Sequence, residues 1–298
     1  MEENYKEEII CIDKSSAVYP RRLKECGDMP EKIYVKGRLP DDDKPSIAIV
    51  GARMCSSYGR MQSFRYGKVL SQAGVQVISG MAYGIDAEAH LGALEGEEPT
   101  YAVLGCGADI CYPARNKRLY SRILRKGGGM VSEYPPGTPV KSYHFPARNR
   151  IISALADVVL VMEAREKSGS LITAQYAIEQ GKSVYALPGA VQEELSLGCH
   201  KLIYDGAGIA YAPEVLLDEW GIISERVKKK EKRNLVLASD LNLVYSCLDL
   251  RPKNLDYFIS ETGFSPEKIS NLLMELELLG LARETGRHYY VKGEETCD

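Results

Sequence analysis

From residue 46 onward the chain alternates between two hydrophobic rhythms. Short, continuously apolar runs recur at 46–50, 75–79, 100–104, 129–132, 157–162 and 183–187. Most are followed by a glycine-bearing turn and then by a stretch whose apolar residues return every three or four positions. The continuous runs predict strands buried on both faces, because a half-buried strand would alternate apolar with polar. The longer stretches predict helices at 59–72, 85–95, 116–125, 150–154 and 172–180. Strands and helices in alternation imply parallel pairing, right-handed crossovers and helices on both sides of one sheet. The expected class is therefore α/β, a Rossmann-like, doubly wound, mostly parallel sheet.

The pattern changes at both ends. Residues 1–45 read as an N-terminal extension, with strands at 8–12 and 32–36, a helix at 20–25 and an Asp41-Asp42-Asp43 turn before the core at 46–221. Residues 222–234 carry Arg226, Lys228, Lys229, Lys230, Lys232 and Arg233 and read as a charged linker. Beyond it, helices at 239–248, 255–262 and 266–279 precede a hairpin whose turn is Glu284-Thr285-Gly286-Arg287. Helix-turn-helix followed by a hairpin predicts a small winged-helix domain at 235–298.

Composition narrows the function. An apolar fraction of 45% in 298 residues supports a sizeable core. The longest apolar runs, such as 158–162, are too short to span a bilayer, and the acidic N-terminus lacks a secretory signal. Eight scattered cysteines form no CxxC, which suits a reduced, cytoplasmic protein better than a disulfide framework or a zinc site. The net charge of −3 hides strong local imbalance. Residues 110–150 hold nine basic side chains against Glu133 alone, a net of +8, while 235–298 is at −5. A basic stretch next to the strand-end loops fits a phosphate-bearing partner, and acidic surfaces elsewhere fit protein partners.

The candidate chemistry lies in those loops. Gly51-Ala52-Arg53 ends the first core strand and would either aim Arg53 into the ligand crevice of an open α/β sheet or leave it as a surface arginine paired to a carboxylate. Ser79-Gly80 and Gly105-Cys106-Gly107 end the next two, and small residues there let phosphate approach a helix start. Asp86 and His90 have i,i+4 metal-ligand spacing but lack an evident third ligand, so an aspartate near the helix start and a satisfied histidine are favoured. Cys106 reads as a small buried thiol. In Tyr143-His144-Phe145-Pro146-Ala147-Arg148-Asn149-Arg150, two arginines fall near an expected helix start after Pro146, with His144 and Phe145 offering faces for a base. Phosphate neutralisation plus aromatic stacking is what sequence-tolerant single-strand binding requires. The competing reading is an internal Arg–Glu network with Phe145 in the core. Ser168-Gly169-Ser170 opens a further helix as an anion cradle or a simple cap. There is no Walker loop, no HExxH, no Ser–His–Asp spacing and no paired-carboxylate motif. Glu133 and Glu163 end strands, where glutamates pair readily with arginines.

Together, 46–53, Ser79-Gly80-Met81-Ala82-Tyr83-Gly84-Ile85-Asp86, 102–109, Tyr112-Pro113, 145–153, 168–174 and Leu187-Pro188-Gly189 resemble the DNA-processing protein A family (DprA, also called Smf), over about residues 10–221. The resemblance implies an extended Rossmann domain that binds single-stranded DNA, and the leading reading is a non-enzymatic protein without a cofactor. It also implies homodimerisation, protection of incoming DNA in natural transformation, and loading of the RecA recombinase. Carried over by position, Arg53, Phe145, Arg148 and Arg150 would line the strand pocket, with Lys141, Gly51 and Asn149 among the site residues. Ser79, Gly80, Ser168, Gly169 and Ser170 would add backbone and hydroxyl contacts. Ala52 stands where the family usually has Ser or Thr, and His200 where Asn is common. The SAM-like N-terminal domain of many members is expected to be absent or vestigial.

Two other classes compete. A nucleotide or N-glycoside hydrolase of the phosphoribohydrolase kind would need a PGGxGTxxE loop, which Pro135-Pro136-Gly137-Thr138 does not supply. A winged-helix transcription factor would need a basic recognition helix, but 266–279 carries Glu267, Glu275 and Glu277 against Lys268 alone.

Overall fold

The computed structural model describes residues 8–222, 239–249 and 251–293. The linker expected at 222–234 lies outside these residues except for Ile222. The chain divides into two compact units, Met1–Ser224 and Glu225–Asp298.

The first unit runs β1 (Ile9–Asp13), α1 (Arg21–Lys24), β2 (Lys32–Gly37), β3 (Ser46–Val50), α2 (Ser57–Gln72), β4 (Gln76–Ser79), α3 (Ile85–Ala93), β5 (Thr100–Leu104) and α4 (Lys117–Arg125). It continues β6 (Gly129–Ser132), α5 (His144–Leu155), β7 (Val158–Val161), α6 (Gly169–Glu179), β8 (Ser183–Ala186), α7 (Leu197–Tyr204), β9 (Gly208–Ile209) and α8 (Pro213–Leu217). The sheet order is β1-β2-β6-β5-β4-β3-β7-β8-β9. Strands β3 to β9 pair in parallel, and β2 and β1 add an antiparallel edge. The doubly wound α/β class expected from the hydrophobic rhythm is the one observed.

The continuous apolar strands follow from this layering. Ile47 and Ile49 join the core beneath α2 and α3, while Ala48 and Val50 join the opposite core with Ile151 and Ile152 of α5. From β3 the chain winds outward to β6, then α5 returns it to β7 on the other side of β3. That reversal is the topological switch point.

Residues 8–45 are part of the core rather than a lead-in to it. Lys36 pairs with Met130 through the β2–β6 ladder, and Tyr19, Leu23, Ile33 and Val35 are buried. Arg22 locks this segment down with a two-pronged contact to Asp157 (3.0 Å from both Nε and Nη2) and donates to the carbonyls of Asp41 and Lys44.

The second unit has α9 (Ser239–Cys247), β10 (Lys253–Asn254), α10 (Leu255–Thr262), α11 (Pro266–Leu278), β11 (Ala282–Gly286) and β12 (Tyr289–Lys292), its strands ordered β10-β12-β11. It has its own core around Val244, Phe258, Ile269, Leu273, Leu276 and Leu281.

Candidate functional site

Parallel pairing brings the loops after β3, β4, β5, β6 and β7 to one edge of the sheet. Many of their backbone N–H groups are already satisfied by carboxylates of the protein itself. Glu163, just after β7, accepts from the Ser56 backbone N–H at 2.9 Å and from the Ser56 hydroxyl. That hydroxyl in turn accepts from the Gly59 N–H at 3.0 Å, capping α2. The carboxylate thus occupies the N-terminus of α2 at the switch point, where an open α/β sheet otherwise receives a nucleotide phosphate. A Cβ on Gly59 would stand 2.3 Å from it, so only glycine permits the approach.

The loop after β4 is filled in the same way. Asp86 accepts from the N–H groups of Gly80 (3.1 Å) and Ala82 (3.4 Å). Arg148 is buried and donates to the carbonyls of Gly80, at 2.9 Å, and Val103. A Cβ on Gly80 would meet its guanidinium at 2.5 Å. Burial pushes the Asp86 carboxyl up, against the pull of the Arg148 charge, and pushes Arg148 down to about 10.

His90 lies one turn further along α3. Its Nδ1 is 2.7 Å from the Thr100 Oγ1, whose proton goes to the Val77 carbonyl. The Thr100 oxygen must therefore accept, so Nδ1 carries the imidazole proton. Nε2 is buried without a hydrogen-bond partner. Burial and the Arg148 charge hold His90 down at about 3. Among the described residues no group of three or more His, Cys, Asp or Glu could hold a metal ion.

Helix α5 begins at His144, six residues before the start expected from sequence. Pro146 lies in its first turn, where its missing N–H costs nothing. Phe145 is therefore on the helix, and Arg148 and Arg150 lie beyond the first turn. Arg150 is buried, with Nη2 2.7 Å from Glu133 and Nε 3.6 Å from Asp28. His144 stacks on Tyr134 (3.9 Å) with Tyr143 at its edge (4.7 Å), and it offers no face to a base.

Other groups remain exposed at this edge. The Arg53 guanidinium lies 5.1 Å over the half-buried Phe145 ring, and the exposed Tyr112 ring is 5.6 Å from Phe145, tilted by 31°. Lys141 sits over the exposed Tyr143 ring at 5.7 Å. Ser168 caps α6, with its hydroxyl 2.8 Å from that of Ser170, and Asn149 donates to the Gly169 carbonyl at 3.2 Å.

The sequence-derived residues thus separate. Arg53, Lys141 and Phe145 form surface, with Asn149, Ser168 and Gly169 at its rim. Ser170, Arg148, Arg150, Gly80 and Ser79, whose hydroxyl donates to the Ile49 carbonyl at 2.6 Å, are buried support. Gly51 packs against Ile85. Tyr83, Tyr112 and Tyr143 were missed as surface groups; the available sign was an exposed-type aromatic in each of three strand-end loops. Glu133 does pair with an arginine, whereas Glu163 caps a helix instead. Cys106 is a buried thiol, pushed up to about 11 by burial.

The profile of the DNA recombination-mediator protein A family matches residues 9–221. The chain belongs to that family. Protein Smf of Escherichia coli is 42% identical over 207 residues, 70% of this chain and 55% of that protein, so the chain spans little more than half its length. DNA processing protein DprA of Streptococcus pneumoniae is 42% identical over 202 residues, 68% of this chain and 71% of that one. The solved structure of the S. pneumoniae protein superposes with a TM-score of 0.66 at 39% identity, covering 72% of this chain and 75% of that chain. DNA processing protein A from Helicobacter pylori, solved to explain its single-stranded DNA binding mode, gives 0.64 at 27% identity and covers 72% of this chain and 96% of that one. Among the described residues no helix is long and apolar enough to cross a membrane.

Proposed function

We propose that this protein binds single-stranded DNA without chemical turnover, as a recombination mediator. The contact surface is Phe145, Arg53 and Tyr112, extended by Lys141, Asn149, Ser168 and Gly169. Arg148, Arg150, Gly51, Ser79, Gly80 and Ser170 hold those groups in place from below. The observation that carries this reading is the Phe145 ring flanked by a guanidinium and a second aromatic at the strand-end edge. Stacking faces beside a cation serve any base sequence. The Glu163 carboxylate at the α2 N-terminus supports the same reading over a nucleotide hydrolase, because it fills the phosphate position that such an enzyme would use.

Membership of a recombination-mediator family supports extending the role to loading RecA onto strands coated by single-strand binding protein, to protecting DNA in natural transformation, and to action as a cytoplasmic homodimer. The second unit, in the order helix, strand, helix, helix, hairpin, is read as a winged helix whose acidic α11 meets protein rather than a DNA groove.

An electrophoretic shift tests the core of the proposal. Oligo-dT is retarded in preference to duplex, and the shift weakens as salt rises. Phe145→Ala loses about 1–3 kcal/mol of affinity, the usual value of one base–aromatic stack, with little loss of stability because the ring is half-exposed. No retardation at low salt would refute it. RecA-driven strand exchange on precoated DNA, with and without the protein, tests the loading role.

A further inference from the structure

The helix that follows the Tyr112 loop carries cations without counter-charges. Helix α4 buries Leu119, Tyr120, Ile123 and Leu124, and the rest of its length faces outward. Lys117, Arg118 and Arg125 are exposed on it, Lys126 is exposed just after it and Arg115 just before it. Arg122 is paired with Glu95 at 2.9 Å. Among the described residues, none of the other five has an ion-pair partner.

A purely solvated helix has no reason to carry this arrangement. Lys117 and Arg118 occupy the first turn, where the helix dipole is already positive, and no acidic residue accompanies them. Arg118, Arg122 and Arg125 recur at helical spacing on one face, like charge beside like charge. The row starts three residues after Tyr112 and follows the nine-residue helix for about 13 Å towards the opposite edge of the sheet. The exposed Arg38 continues it, since its backbone N–H donates to the Gly128 carbonyl at 3.1 Å, just past the helix.

We propose that this row is a second binding segment: a phosphate track along α4 that takes up single-stranded DNA as it leaves the Phe145–Tyr112 surface. The proposal rests on the function proposed above. Charge complementarity specifies a polyanion, and continuity with the stacking surface makes it the same strand. The row exposes no aromatic ring, since Tyr120 is buried, so it neutralises phosphates without reading or stacking bases. Its contribution is therefore sequence-independent and strongly salt-dependent.

Fluorescence anisotropy on the full chain separates the two segments by strand length, using oligo-dT of about 8 and about 30 nucleotides. The variant Arg118→Glu/Arg125→Glu reverses two exposed charges outside the stacking surface. The first change puts a carboxylate in the first turn and one turn ahead of Arg122, which offsets the cost of the second at the C-terminal end of the helix. The short strand binds the variant within about twofold of wild type, whereas affinity for the long strand falls at least about tenfold at low salt. The slope of log K against log salt becomes shallower by about 1.4, the value for two single-strand phosphate contacts. A variant that keeps the wild-type length gain and slope overturns the track. So does a long duplex that competes for the track as well as the single strand does. A wild-type chain that fails to bind the short strand overturns the stacking-site reading instead, and the track is then judged by whether the variant loses the remaining long-strand binding.

Discussion

Arg148 lies beneath the proposed contact surface rather than on it. Its guanidinium is buried, with the Gly80 and Val103 carbonyls as acceptors and the Asp86 charge nearby. Arg148→Ala strands the Asp86 carboxylate in a buried site, and the expected loss of stability is about 3–5 kcal/mol, read by urea denaturation. Unchanged stability with lost strand affinity would instead make Arg148 a direct contact. His90 governs acid sensitivity. Its folded pKa is about 3 against an ordinary 6.5. The unfolded chain binds a proton below about 6.5 that the folded chain refuses, so this stabilisation is complete above that pH and is lost as pH falls towards 3. Asp86 acts in the opposite sense: its raised pKa means that the penalty of its buried charge is relieved as pH falls through the folded value. His90→Gln should therefore flatten the fall in the denaturation midpoint between about pH 6.5 and 4. A fall as steep as in wild type would show that His90 is not responsible. The residue types here were legible in sequence, but their pairings were not. Glycine at 80 reads equally well as room for a phosphate or room for a guanidinium, and only the fold delivers Arg148 to it.

Among the elements, the loop from β3 to α2 depends most on a single group. Ala52 donates its N–H to the Glu163 carbonyl at 2.8 Å, and Ser56 is held by the Glu163 carboxylate, so Arg53 projects from a segment tied at both ends. Glu163→Ala leaves the Ser56 N–H without its acceptor and costs about 1–3 kcal/mol of stability. Oligo-dT affinity falls with it, because Arg53 is no longer held over Phe145. Glu163→Gln retains an acceptor oxygen and is expected to recover most of both. Equal affinity in all three proteins would show that the tie does not position Arg53. Helix α5 teaches a related lesson about boundaries. Pro146 reads as the stop before a helix, yet the helix starts at His144 because a proline in the first turn sacrifices no internal hydrogen bond. The short elements α7, β9 and α8 had no distinct hydrophobic rhythm and were not anticipated. Elements this short are stabilised by packing on the sheet rather than by their own periodicity.

For the whole molecule, charge is divided between surfaces rather than balanced across one. Residues 110–150 are at +8, whereas 235–298 is at −5. Helix α11 exposes Met274 and Leu278 beside Glu267 and Glu275, a face suited to protein and repelled by duplex phosphate. The unit has its own core, so an isolated 235–298 fragment can be assayed, and it is expected to leave duplex DNA unretarded at low salt. Retardation would reassign it as a DNA reader. The sequence by itself determined the fold class, since continuous apolar runs can be buried only in a sheet covered on both faces. It also determined the identity of the strand-end loops and the basic stretch beside them. It could not tell whether residues 8–45 lie outside the core or within it, because edge pairing of β2 with β6 is a contact across roughly a hundred residues. Nor could it say which loop N–H groups remain open to a ligand. The tertiary structure decided that, by bringing Glu163 to the Ser56 N–H and Asp109 to the Gly137 N–H from distant positions, turning the nearby Asp86 onto Gly80 and Ala82, and leaving Arg53, Phe145 and Tyr112 at the surface. The physical reason is that a polar backbone group must be satisfied by something, and only the folded chain determines which carboxylates come within reach.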